Sequence, residues 1–95
     1  MVIWTIPAKD DLRRVYTFIA EDSRYYASEV VEKFVTLTTK LTLFPNQGRV
    51  VPELGNPNIR ELMIFSYRVI YQHQHDKIYI LAIVHMRQKF KKFEA

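Results

Sequence analysis

Residues 59–87 read IRELMIFSYRVIYQHQHDKIYILAIVHMR, a run dense in β-branched and aromatic side chains that breaks only at Ser66 and at His75-Asp76-Lys77. Such side chains fit a pleated, half-buried surface, so the run predicts three consecutive strands over 59–65, 67–74 and 78–85. Connections this short force antiparallel hairpins. The last strand is apolar at consecutive positions, as a central strand covered on both faces would be. Whatever the chain folds into must be built around this meander.

The segments before it supply what the meander needs. Residues 2–6 predict a short edge strand closed by Pro7. A helix over 8–20 follows, with Leu12, Val15, Tyr16 and Ile19 on one face. Pro7 is tolerated at its start, and Asp10 and Asp11 are expected in its first turn, where the helix dipole favours negative charge. After the polar break 21–24, in which Ser23 is the candidate N-cap, a second helix is predicted over 25–43. Its apolar positions Ala27, Val30, Val31, Phe34, Leu37, Leu41 and Phe44 keep a helical period until Pro45-Asn46-Gln47-Gly48 stops it. Residues 47–58 contain both glycines and predict an irregular connection. The expectation is one α+β domain over 1–95, with an N-terminal strand, an antiparallel helix hairpin, and a three-stranded antiparallel meander completing one sheet.

Composition narrows the chemistry. At 95 residues and 48% hydrophobic content the chain supports one folded core. It has no cysteine, which excludes disulfides and thiolate chemistry and fits a reducing cytoplasm. No signal peptide is expected, and no segment approaches the roughly 18 apolar residues of a membrane span. Charge is uneven: residues 1–58 carry seven basic and seven acidic side chains, whereas 59–95 carry seven basic against three acidic, so the whole net +4 lies there. A localised positive field favours an anionic partner, nucleic acid or an acidic protein segment, although a solvated basic tail has the same composition.

Few constellations can carry a reaction. His73 and His75 would share a strand face, but no third metal ligand is evident, so neither a metal nor a cofactor is expected. The serines sit in no nucleophile motif, and there is no glycine loop for phosphates. What remains is basic and aromatic: Arg60, Arg68, His85 and Arg87, with Tyr67 and Lys89 nearby. If these converge on one sheet face, arginines could hold a phosphate while His85 or Lys89 moves protons, a metal-free arrangement for RNA cleavage. Arg68 has a second reading, an internal pair with a carboxylate such as Glu53 or Glu61. Arg49 and Glu53 read as ordinary surface charges.

Several short stretches, in order, resemble the RelE/ParE superfamily of toxins from bacterial type II toxin–antitoxin modules. They are Ala8-Lys9-Asp10-Asp11-Leu12, Phe44-Pro45-Asn46-Gln47-Gly48-Arg49 followed by Val51-Pro52-Glu53, Ile59-Arg60-Glu61-Leu62, Ser66-Tyr67-Arg68-Val69-Ile70-Tyr71 and Val84-His85-Met86-Arg87. The resemblance implies a cytoplasmic toxin that is neutralised by a cognate antitoxin in a hetero-oligomer. It acts either on DNA gyrase (ParE-like) or as a ribosome-dependent mRNA endonuclease (RelE-like). The lysines that RelE-like proteins place on the first meander strand are missing. Phe93 stands where a C-terminal tyrosine would be, and phenylalanine has no hydroxyl to exchange a proton. The His85-x-Arg87 ending resembles ParE-like chains. The implied reading is therefore ParE-like target binding, with Arg87, Lys89, Lys91 and Lys92 as contact residues. Under the nuclease alternative, Arg60, Arg68, His85 and Arg87 would form the catalytic set.

Overall fold

The computed structural model describes residues 1–87. Five strands form one sheet in the order β1-β5-β4-β3-β2: β1 (Val2–Trp4), β2 (Arg49–Val50), β3 (Ile59–Ile64), β4 (Tyr67–Gln74) and β5 (Lys77–His85). The β3–β4–β5 meander is antiparallel as expected, and β1 joins it in parallel, with Val2 opposite Ile78 and Trp4 opposite Ile80. Helices α1 (Ile6–Ala20) and α2 (Arg24–Thr39) cover one face of the sheet. No helix among the described residues is long and apolar enough to cross a membrane.

Boundaries differ from expectation where a side chain or a turn intervenes. The first strand stops at Trp4 because Thr5 turns the chain: its hydroxyl accepts from Ala8 N–H at 3.3 Å and donates to Ile80 O at 2.7 Å. Thr5 thus caps α1 and fastens it to β5. With α1 starting at Ile6, Asp10 and Asp11 lie beyond its first turn, so the dipole argument does not apply to them. Asp11 is instead buried, and its Oδ2 accepts from Ile83 N–H at 2.9 Å, three residues past the end of β1's pairing. The second helix gives way after Thr39 to a 3-10 turn over Lys40–Thr42. Three residues per turn shift the phase of the apolar stripe, and Phe44 is left 61% exposed although Leu41 is buried. The connection after Pro45 contains β2, which pairs Arg49 with Glu61.

Two clusters hold the sheet. The larger, between helices and sheet, joins Ala8, Val15, Val30 and Phe34 to Ile64, Val69, Tyr71, Ile78, Ile80 and Ile83. The smaller lies on the opposite face, where Val51 and Leu54 cover Ile70, Ala82 and Val84. A bulge links them: Ile70 opposes Ala82 while Tyr71 opposes Ile80, leaving Leu81 as an extra residue on β5. The bulge switches the alternation, and β5 is apolar at consecutive positions because both of its faces are covered, Ile78, Ile80 and Ile83 by the larger cluster and Ala82 and Val84 by the smaller.

Candidate functional site

The expected cationic cluster divides across the sheet. Arg60 opposes Tyr71, and Tyr67 opposes His85, so Arg60 and His85 belong to the helix-covered face. Tyr67 and Tyr71 are four residues apart on β4, which separates the two positions by about 13 Å along the strand. Arg68, opposite Met63 and Val84, lies on the other face. Arg87 is exposed just past β5, and its backbone N–H donates to His85 Nδ1 at 3.2 Å. Convergence of Arg60, Arg68, His85 and Arg87 on one face therefore does not occur. Lys89, Lys91 and Lys92 lie outside the described residues.

Arg68 takes the internal reading. Its Nη1 and Nη2 grip both oxygens of Glu53 at 2.8 and 2.7 Å, and its Nε donates to Glu61 Oε1 at 2.7 Å. The second oxygen of Glu61 accepts from Arg49 Nε. Glu61 is fully buried, a carboxylate that persists there because two guanidinium groups neutralise it. Arg49 and Glu53 are accordingly members of this network and not ordinary surface charges. The two carboxylates, Glu53 chiefly, hold the Arg68 guanidinium's proton more tightly than usual, against the opposing effect of burial.

The network makes stability depend on acid. Hydrogen bonding to Arg68 chiefly lowers the Glu53 pKa from 4.5 to about 2, with burial opposing. A depressed folded pKa contributes stability that is present above pH 4.5 and is lost as pH falls toward 2. Because Glu53 is exposed, water screens the effect to about 1 kcal/mol or less. Urea titrations at pH 7, 4.5 and 2.5 should show this loss in the native chain, and Glu53→Gln should lack that part of the slope.

Arg60 is tied to backbone: its Nε donates to Pro57 O at 3.1 Å and its Nη1 to Gly48 O at 3.0 Å. Beside it, the Tyr71 hydroxyl donates to Pro45 O at 2.8 Å and accepts from Gly48 N–H at 2.9 Å. Burial pushes the Tyr71 pKa up, against the lowering by Gly48 N–H and Arg60, so the phenol keeps the proton it donates. Gly48, Arg49, Arg60 and Tyr71 thus lock the 45–50 loop to the sheet. Sequence reasoning saw the Pro45–Arg49 motif but not this use of it. The signal was Gly48 itself, which no other residue type can replace at such close approach.

His85 packs edge-on against Tyr67 at 5.3 Å, Tyr67 against Phe34 at 5.9 Å, and Phe34 against Phe65 at 6.3 Å. His75 lies in the β4–β5 turn at φ 52°, so it does not share a strand face with His73. Among the described residues, no three histidine or carboxylate side chains come together to hold a metal ion.

The family described as the ParE toxin of type II toxin–antitoxin system, parDE, matches residues 2–90. A solved structure, the chromosomal ParDE TA system from P. aeruginosa, is similar in fold, with a TM-score of 0.72 and 24% identity over 88% of this chain and 92% of that one. No curated protein matches the sequence.

Proposed function

The chain belongs to the ParE toxin family of type II toxin–antitoxin systems, and from that premise we propose that it arrests growth by binding a protein target, DNA gyrase, and is neutralised by a cognate antitoxin. The observation that carries this reading over mRNA cleavage is the dispersal of the basic side chains. Metal-free strand cleavage needs cations and a proton carrier within hydrogen-bond reach of one phosphate. Among the described residues, Arg68 is committed to two carboxylates on one face, while Arg60 and His85 stand apart on the other. Arg87, exposed just past β5 and in no ion pair among the described residues, is the contact residue in this reading.

Purified chain should block supercoiling by gyrase, and its induction in cells should give double-strand DNA breaks and an SOS response. Arg87→Ala should weaken both at least tenfold with an unchanged melting temperature, since the residue is exposed. Cleaved mRNA on translating ribosomes, with gyrase unaffected, refutes the proposal in favour of the endonuclease.

A further inference from the structure

β5 ends at His85, and the chain turns at Met86 and Arg87. Two backbone donors hold this turn. Met86 N–H donates to Ser66 O, in the β3–β4 turn of residues 65–66, at 2.9 Å. Arg87 N–H donates to His85 Nδ1 at 3.2 Å. The first bond fastens the turn to the sheet, and the second closes it from within. A ring nitrogen accepts only through a lone pair, so Nδ1 carries no proton here and the ring's proton is on Nε2.

The imidazole is held in that orientation from behind. Tyr67, opposite His85 on β4, meets it edge-on at 5.3 Å with an interplanar angle of 87°. Tyr67 packs edge-on in turn against Phe34 at 5.9 Å, and Phe34 is fully buried in the larger cluster. A line of three rings thus runs from the core to the start of the turn and ends on the atom that grips Arg87. Swinging the imidazole away would forfeit the edge-on geometry that such rings prefer. Packing alone does not call for a histidine here. A phenylalanine would make the same edge contact with Tyr67, and what imidazole adds is an acceptor one bond beyond Cγ. Asparagine offers the equivalent atom, since its Oδ1 accepts from the N–H two residues on. This chain uses that turn at Asn56, whose Oδ1 accepts from Asn58 N–H at 2.9 Å.

We infer that His85 is a positioning residue for target binding: its Nδ1, aimed by Tyr67, accepts Arg87 N–H and so fixes the direction from which Arg87 meets the target. The inference rests on the reading above in which Arg87 is the contact residue. It gives His85 a part in binding, in place of the proton transfer that the nuclease alternative requires. Arg87 is exposed beyond the last strand, and a turn already closed in the free toxin lowers the ordering cost that association has to meet.

Two single variants separate the acceptor from the ring. His85→Phe keeps the ring edge against Tyr67 and has no acceptor, whereas His85→Asn loses the ring and keeps the acceptor. A merely structural histidine ranks Phe above Asn in activity, and a positioning one ranks Asn above Phe. The full chain and both variants are induced to graded levels in cells, and the protein level that arrests growth is read by immunoblot. His85→Phe should need at least about fivefold more protein, the usual worth of one hydrogen bond, and His85→Asn less than about twofold more. A native-like His85→Phe, or a His85→Asn impaired as much as His85→Phe, overturns the inference. The double variant His85→Phe with Arg87→Ala should be no weaker than Arg87→Ala alone, because His85 acts through Arg87; losses that add overturn it. Should His85→Asn fail to accumulate, this cycle decides together with hydrogen exchange at the Arg87 amide of the purified native chain. That exchange should be slowed at least about tenfold, and exchange at the rate of an unstructured peptide overturns the inference. Gyrase inhibition by the native chain is read separately. The Asn-over-Phe ranking with gyrase unaffected keeps the inference and removes gyrase as the target, whereas gyrase blocked with the ranking reversed does the opposite.

Discussion

Arg68→Ala is expected to lower the free energy of unfolding by about 3–5 kcal/mol, a large part of the roughly 5–15 kcal/mol that holds a domain of this size together. The loss does not come from one contact. Removing the guanidinium strands Glu61, which is fully buried, with only the exposed Arg49 left to neutralise it. It also frees Glu53, which brings the 51–54 segment down over the smaller cluster of Val51, Ile70, Ala82 and Val84. Urea denaturation should show the midpoint falling by about 2 M. The paired replacement Arg68→Met with Glu61→Leu should recover most of the loss, since a buried ion pair is often exchangeable for apolar side chains of similar volume. A single Arg68→Ala variant as stable as the native chain yet harmless to cells would reverse the assignment and make Arg68 a residue that meets the target.

Gly48→Ala should be nearly as damaging, for a steric reason. A Cβ at this position would overlap the Glu61 carbonyl oxygen and come within 2.9 Å of Tyr71 Cε1. Neither neighbour can yield: Glu61 is held in the ladder by its pairing with Arg49 on one side and Ile70 on the other. The loop must lift instead, breaking the bonds from Gly48 N–H to Tyr71 and from Arg60 to Gly48 O. Overpacking of this kind costs about 1–3 kcal/mol, and each buried polar group left without a partner adds about 1–3 more. A melting temperature lower by about 10–20 °C is expected from calorimetry. Gly55→Ala is the control. Nothing lies within 4 Å of a Cβ there, and only its φ of 62° opposes the substitution, so the drop should be clearly smaller.

These variants also mark where local pattern stops being informative. Period and turn composition reported the two helices, the three long strands and their antiparallel order, because each depends on residues within a few positions of one another. Phe44 escaped, since a short 3-10 turn changes the phase of an apolar stripe without any marker residue. Phe65 escaped too: Phe-Ser is not a turn signature, and only a folded hairpin tip reveals its positive φ.

The sequence by itself determined the meander, the helices that must cover it, the basic second half and the resemblance to a toxin family, all of which follow from side-chain type and spacing. Tertiary structure alone decided the fate of each charge. Whether Arg68 faces a partner molecule or Glu53 and Glu61 depends on residues 15 and 7 positions away. Their meeting is set by strand register and by a loop crossing the outer face. A guanidinium carries the same charge in either place, and only the carboxylates brought beside it by folding tell a structural arginine from one that is left to bind.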